Sequence, residues 1–184
     1  AYGFIAAAEK AGLKLYLGSY PITPATDVLH ELSKHKSLGV MTVQCEDEIS
    51  GCASAVGASF AGALAVTSTS GPGICLKSEA MNLDVQRGGP ATGLPTKSEQ
   101  TDLLQVLFGR NGESPMPVLA ATSPTDCFEC AYMASKIALE HMTPVVLLTD
   151  AFVANGSAAW KLPKLADYPA IVPPYVRPEM QGSW

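Results

Sequence analysis

Short apolar runs alternate along the chain with longer segments in which apolar and polar residues recur at helical spacing. The runs are bounded by glycine, proline or charged residues, which is typical of strands that are covered on both faces. They predict strands at 13–19, 40–44, 63–69, 117–121 and 144–150.

The segments between these runs predict helices at 1–11, about 25–35, about 47–62, 74–83, about 101–109 and 125–142. Such alternation implies an α/β fold with a doubly wound, mostly parallel sheet. Ligands bind such sheets beyond the carboxyl ends of the strands. We therefore expect the loops at 20–25, 45–50, 67–73 and 86–100 to face one pocket.

One strand is missing from this pattern near residues 83–84. The helix predicted at 74–83 runs directly into DVQRGGP, which leaves only Asp84 to Gln86 where a buried strand is expected. Either this strand is unusually short, or roughly ten residues are absent from the chain. We favour the second interpretation.

Residues 163–184 are rich in proline, with five of the 14 prolines in the chain. This composition favours an extended linker over a core element. The chain also opens on Ala1 without an initiator methionine. We interpret 1–162 as one domain of a longer polypeptide, and 163–184 as a linker toward a C-terminal domain that is absent here.

Charge and cysteine content narrow the class of protein. A net charge of −5 with 12 lysines and arginines provides no basic stripe, so nucleic acid and anionic membranes are not expected partners. No apolar run is long enough to span a bilayer. The five cysteines are an odd number in apolar segments, which indicates reduced thiols and a cytoplasmic protein. We interpret the C-x-x-C of Cys127 and Cys130 as structural, not as a metal or redox site.

Two glycine-rich stretches resemble phosphate-binding loops only in part. GPGICLKS has Leu76 where the second glycine must let phosphate approach the backbone, and GGPATGL lacks the lysine. Neither stretch therefore predicts nucleotide binding.

Three carboxylates, Glu46, Asp47 and Glu48, precede a helix that is rich in glycine and alanine. Acids at a helix N-terminus are stabilised by the helix dipole, by roughly 0.3–1 kcal/mol each. That accounts for two of the three. The small side chains indicate that another backbone comes close, so we predict a subunit or domain interface with the carboxylates at its rim.

Other loops allow both a structural and a functional interpretation. Ser70, in TSTSGPG, can cap the next helix or lie close to a ligand, and Thr23, in YPITP, can cap a helix or bind a substrate. Arg87 follows the incomplete strand and can be a solvated charge or can hold a carboxylate bidentately.

Taken together and in order, these loops resemble a known family. YPITPATD, EDEIS, TSTSGPG, LKSEAM, QRGGPATGLPTKSEQTDLL, GESP, SPTDCFECA and TPVVLLTDAFVANGSAAWKLP are similar to the alpha subunit of 2-oxoacid:ferredoxin oxidoreductases, on the 2-oxoglutarate (KorA-type) branch. The similarity runs from residue 1 to the proline-rich tail. It departs from the family at residues 82–84, where an apolar stretch is missing.

This resemblance implies a thiamine diphosphate-binding (pyrimidine) fold that holds the aminopyrimidine half of the cofactor. The diphosphate half, its Mg²⁺ and an iron–sulfur cluster would lie on a beta subunit, in a hetero-oligomer or dimer. The implied reaction is the oxidative decarboxylation of a 2-oxoacid to an acyl-CoA. The expected 2-oxoacid is 2-oxoglutarate. Coenzyme A is the co-substrate and ferredoxin takes the electrons. The isolated domain is expected to be inactive.

The resemblance also implies roles for individual residues. Glu48 would hydrogen-bond N1′ of the pyrimidine and activate the cofactor, while Thr23 and Arg87 would bind the substrate's carboxylate and carbonyl. Ser70 and Gly71 would line the cofactor pocket. Two alternatives stay open: a non-oxidative thiamine diphosphate enzyme, which TSGPG favours, and an interaction scaffold of the same fold that has lost its cofactor.

Overall fold

The structure is a computed structural model that describes residues 1–70, 73–77, 80, 101–109 and 115–175. Its helices are α1 Tyr2–Ala11, α2 Thr26–Ser33, α3 Glu48–Phe60, α4 Gly73–Leu76, α5 Thr101–Phe108, α6 Asp126–His141 and α7 Ala151–Asn155. Short 3₁₀ turns lie at Lys36–Leu38 and Leu165–Asp167. Within the described part of the chain, none of the helices combines the length and apolar character that crossing a bilayer requires.

The strands form two parallel sheets. They are β1 Leu15–Ser19, β2 Val40–Gln44, β3 Leu64–Thr67, β4 Val118–Ala120 and β5 Val146–Leu148. The first sheet has the order β2-β1-β3 and the second pairs β4 with β5. Each strand lies within an apolar run that the sequence assigns to a strand, and the α/β prediction is confirmed. Residues 84–86, where the sequence leaves too little chain for a strand, lie outside the described residues.

The central strand β1 is covered on both faces. Leu15 and Leu17 are almost completely buried, and β1 pairs in register with β2 on one side and β3 on the other. At Gly18 the strand also packs directly on α3, because a Cβ there would collide with the Gly51 carbonyl and the Ser54 hydroxyl. Glycine at 18 therefore brings the N-terminal part of α3 close to the end of β1.

Helix α1 packs on α6, and the segment after residue 162 contacts both helices. A Cβ on Gly3 would stand 2.5 Å from the Phe128 carbonyl oxygen, which shows how close the two helices are. Ile171 is buried and donates its backbone N–H to the Lys10 carbonyl at 3.1 Å. The hydroxyl of Tyr132 donates to the Pro169 carbonyl at 2.6 Å. The described part of 163–184 thus packs on the preceding residues, while the division into a domain and a linker stays a prediction.

Candidate functional site

The carboxyl ends of β1 and β3 lie side by side in the first sheet, with Gly18 opposite Thr67. The residues that follow the two strands therefore meet across the sheet. The hydroxyls of Ser19 and Ser68 are 3.0 Å apart, and those of Tyr20 and Thr69 are 2.6 Å apart. Residues separated by 49 positions in the sequence thus form a row of hydrogen-bonded hydroxyls at this edge.

The adjacent carboxylates Asp47 and Glu48 occupy different positions at the start of α3. Asp47 is the N-cap: its carboxylate accepts the Ser50 backbone N–H at 2.8 Å, and Ser50 completes a capping box. Hydrogen bonds from the Ser50 hydroxyl and backbone hold the pKa of Asp47 below its ordinary value. Glu48 is the first helical residue and is half-buried. Because Asp47 serves as the cap, Glu48 is available for chemistry.

Gly73, the first residue of α4, brings Glu48 together with the hydroxyl row. A Cβ at this position would collide with the Tyr20 hydroxyl and with Thr69 Oγ1, and would stand 2.8 Å from Glu48 Oε1. Only glycine leaves room for all three groups without displacing one of them. The structure therefore gathers Glu48, Tyr20 and Thr69 around one backbone position.

The phenol of Tyr20 is held in its neutral form. Burial is the main cause that raises its pKa to about 12; the hydrogen bond with Thr69 opposes the rise, and the neighbouring Glu48 carboxyl group adds to it. A neutral phenol keeps its proton, so Tyr20 can donate a hydrogen bond to a carboxylate at physiological pH.

Thr23 and Ser70 meet through the backbone of Thr23. The Ser70 hydroxyl donates to the Thr23 carbonyl at 2.8 Å, and the Thr23–Pro24 peptide bond is cis. Thr26 fixes the start of α2, since its hydroxyl accepts the Ile22 N–H at 2.7 Å and donates to the Ile22 carbonyl. The structure thus places Thr23 at the same sheet edge as Glu48, with its side chain exposed. The capping interpretation of Thr23 is wrong, because Ala25 precedes the helix.

Lys77 is a residue that the sequence does not single out for this site. It is 1% exposed, and its ammonium donates to Thr67 Oγ1 at 2.6 Å and to the Ser68 carbonyl at 3.0 Å. Its Nζ also lies 5.4 Å from the centroid of the Tyr20 ring, within the range of a cation–π interaction. In the sequence, Lys77 stands out only through an incomplete phosphate-loop pattern, which gives no indication of this position.

Two predicted site residues, Arg87 and Gly71, lie outside the described residues. The three other predicted site residues, Glu48, Thr23 and Ser70, all lie at the carboxyl edge of the first sheet. Sequence reasoning missed Tyr20 and Thr69, although both stand inside the quoted motifs YPITP and TSTSGPG.

Apolar side chains are exposed at both ends of α3. Ile49 beside the site is 46% exposed and Phe60 at the far end is 86% exposed, with exposed Ala53 and Gly57 between them. This surface is where the sequence predicts an interface, and that assignment stays a prediction.

A comparison with known protein families matches almost the whole chain to one family. Residues 6–183 match the profile of the family described as "Pyruvate flavodoxin/ferredoxin oxidoreductase, thiamine diP-bdg". The resemblance noted in the sequence is thereby confirmed.

Individual relatives place the chain near 2-oxoglutarate enzymes. The chain is 58% identical to the 2-oxoglutarate oxidoreductase subunit KorA of Mycobacterium tuberculosis, over 97% of this chain and 29% of that protein. It is 37% identical to the 2-oxoglutarate synthase subunit KorA of Archaeoglobus fulgidus, over 87% of this chain and 49% of that protein. The chain thus spans at most about half of these relatives, whose names describe them as subunits.

A solved structure agrees with these relatives. The chain superposes with a TM-score of 0.68 and 39% identity on a 2-oxoglutarate:ferredoxin oxidoreductase from Magnetococcus marinus with 2-oxoglutarate, coenzyme A and succinyl-CoA bound. The match covers 82% of this chain and 29% of that one. On the profile, the relatives and the fold together, the chain belongs to the family of thiamine diphosphate-binding domains of pyruvate flavodoxin/ferredoxin oxidoreductases.

Proposed function

We propose that this chain is the pyrimidine-binding domain of the alpha subunit of a 2-oxoglutarate:ferredoxin oxidoreductase. The complete enzyme would convert 2-oxoglutarate and coenzyme A to succinyl-CoA and CO₂, and would pass the two electrons released to ferredoxin. The observation that carries this proposal is the half-buried Glu48 carboxylate, which lies at the carboxyl edge of a parallel sheet among hydroxyls and a glycine.

The residues at this edge fit the aminopyrimidine half of thiamine diphosphate. A ring with nitrogen donors and acceptors needs a carboxyl group that can share a proton, and it needs short side chains around it. Glu48 supplies the carboxyl group, and Gly73, Thr69 and Ser70 supply a surface without bulky groups. When bound, thiamine diphosphate supplies the stabilisation of negative charge that decarboxylation of a 2-oxoacid requires.

The chain's own residues orient the reactants and move one proton. Glu48 would hold a proton at N1′ of the pyrimidine, in the manner of a general acid–base. Thr23 and Arg87 would bind the carboxylate and carbonyl of the oxoacid, and Ser70 and Gly71 would line the cofactor pocket. The hydrogen bond from Ser70 to the Thr23 carbonyl supports this arrangement, since it ties the YPITP loop to the loop after β3.

A partner subunit completes the proposed site. Mg²⁺, the diphosphate half of the cofactor and the iron–sulfur cluster would lie on a beta subunit that covers this edge, in the cytoplasm. The exposed Ile49 beside Glu48 supports such a cover, because an apolar side chain at the rim of a site gains stability when a partner buries it. The relatives' description as subunits supports it independently.

Replacing Glu48 tests the proposal in the complete alpha–beta enzyme. Glu48→Gln keeps the shape of the side chain but removes the acid, so 2-oxoglutarate-dependent reduction of ferredoxin should fall by at least about a hundredfold, the usual contribution of an acid–base group. Dye-linked stopped-flow assays under saturating cofactor measure this loss.

Glu46→Gln is the matched control, since it makes the same change two residues earlier at an exposed position. It should retain near-normal turnover. Normal turnover of Glu48→Gln would contradict the assignment of Glu48, and the absence of any 2-oxoacid-dependent turnover in the wild-type enzyme would reject the proposed function.

A further inference from the structure

Tyr20 lies between Glu48 and the end of β3. It follows directly after β1, is 4% exposed, and its hydroxyl lies 2.6 Å from Thr69 Oγ1. The same hydroxyl and Glu48 Oε1 lie beside one another, since a Cβ at Gly73 would stand 2.2 Å from the first and 2.8 Å from the second. A buried phenol thus stands between the end of β3 and the start of α3.

The ring of Tyr20 is fixed as well as its hydroxyl. The ammonium of Lys77 lies 5.4 Å from the ring centroid and is itself held by Thr67 and Ser68 at the end of β3. A cation that lies over the face of an aromatic ring is attracted to the ring, and this attraction is stronger where water is excluded. Because Lys77 is buried, this contact is shielded from solvent and restricts the tilt of the ring.

A phenol has a single proton to donate, and this fixes the order of the proposed hydrogen bonds. Tyr20 directs that proton at Glu48. Its oxygen is then free to accept, and Thr69 donates to it. The order is Thr69 to Tyr20 to Glu48, and it ends on the group that would face the cofactor.

We propose that Tyr20 is a positioning residue that holds the Glu48 carboxylate in its working orientation, and that Thr69 in turn fixes Tyr20. The inference rests on the proposed function of Glu48. A glutamate side chain has several rotatable bonds, and a fixed donor at its carboxylate removes the orientations in which it points away from the cofactor. Tyr20 acts through Glu48 and contacts neither substrate nor cofactor.

Tyr20→Phe in the complete alpha–beta enzyme removes the donor and keeps the ring. With thiamine diphosphate bound, exchange of the thiazolium C2 proton with D₂O should slow by about tenfold, the factor that corresponds to one hydrogen bond to a charged group. The Kd of thiamine diphosphate, measured by quenching of protein fluorescence, and the Michaelis constant for the oxoacid should stay within about threefold, since the ring and the surrounding packing are kept. If Tyr20 had only a structural role, the variant would instead bind the cofactor more weakly, or its thermal midpoint would fall in proportion to the slower exchange.

Tyr16→Phe is the matched control, because it removes a phenol hydroxyl from β1 itself, four residues before Tyr20. Its exchange rate should equal that of the wild type. An unchanged exchange rate in Tyr20→Phe, alongside a slow Glu48→Gln enzyme, would overturn the positioning role while leaving the proposed function intact.

Thr69→Val gives a second test that does not depend on the folding of Tyr20→Phe. It should slow exchange in the same direction by a smaller factor. The double variant should be no slower than Tyr20→Phe alone, because Thr69 acts only through Tyr20. Additive losses in the double variant, or full exchange in Thr69→Val, would reject the relay from Thr69 to Glu48.

Discussion

The loops beyond the two sheets contain similar residues and use them differently. After β4, both the backbone N–H and the hydroxyl of Thr122 donate to Asp126 at 2.9 Å. After β5, Asp150 accepts the Val153 N–H at 2.7 Å. After β1 and β3, by contrast, the hydroxyls of Tyr20 and Thr69 bond to each other across the sheet.

The difference is one of sequence separation. The bonds beyond the second sheet join residues three or four apart, so they complete the starts of helices α6 and α7. The bonds between the loops after β1 and β3 join residues 49 apart, and one of these pairs, Tyr20 and Thr69, lies beside Glu48. Polar residues after a strand thus indicate a site only where they fail to serve their own helix.

Among the variants that compare the two sheets, the largest expected effect comes from replacing Gly73, at the edge of the first sheet. In Gly73→Ala the added Cβ would displace Tyr20, Thr69 or Glu48. Overpacking of this kind costs about 1–3 kcal/mol, so turnover of the complete enzyme should fall by roughly tenfold to a hundredfold.

Gly51→Ala is the control for this steric argument. A Cβ at Gly51 would meet its nearest atom at 3.5 Å, which is ordinary contact. Steady-state turnover should therefore stay close to that of the wild type. Equal losses in Gly51→Ala and Gly73→Ala would mean that the whole edge is sensitive and that the close approach at Gly73 has no special role.

Asp47 and Asp150 both cap a helix, so their alanine variants form a matched pair. The expected effect of these substitutions is intermediate in size. Asp47→Ala and Asp150→Ala each remove an N-cap hydrogen bond and should each cost about 1 kcal/mol of stability, measured by chemical denaturation of the complete enzyme. Only Asp47→Ala should also lower turnover, because its helix begins at Glu48. A loss of turnover in Asp150→Ala of the same size would contradict the division between the two sheets.

The smallest expected effect is a dependence of stability on acid pH at the second sheet. Hydrogen bonds from the Thr122 backbone and hydroxyl hold the pKa of Asp126 below its ordinary value of 3.8. The unfolded chain takes up this proton at higher pH than the folded one, so the stabilisation is complete above about pH 4 and is lost as the pH falls further.

Thermal midpoints of the wild type and of Asp126→Asn test this dependence. The thermal midpoint of the wild type should lie above that of the variant by at most about 2 °C near neutral pH, and this difference should become smaller in acid. Turnover should be equal in both. A difference that grows as the pH falls would reverse the sign and reject the role of the ionised carboxylate.

The sequence predicts the elements of this fold well, because each depends on local pattern. The five apolar runs correspond to the five strands of the described residues, and the carboxylates before residue 49 lie at the start of a helix as expected. The approach of the loops after β1, β2 and β3 to one edge is also predicted, since parallel strands bring their carboxyl ends together. The fourth predicted loop, 86–100, lies outside the described residues.

The roles within those loops could not be read from the sequence with the same success. Thr23 and Thr26 both stand near a helix start, and only the fold shows that Thr26 makes the bonds to Ile22. The burial of Lys77 under the Tyr20 ring depends on β1 lying beside β3, a tertiary relation that no local pattern encodes. For the same reason, the local pattern around Ser70 fits a structural and a functional interpretation equally well.

The absence of a side chain at Gly18 affects how β1 and α3 move. With no side chain at Gly18 between β1 and α3, the strand that leads into Tyr20 and the helix that begins with Glu48 touch backbone to backbone. Thermal displacements of the two elements are then correlated, since neither can shift without carrying the other. The separation of phenol and carboxylate should fluctuate less than the position of either group, and the alignment of the acid would survive vibrations of the domain as a whole.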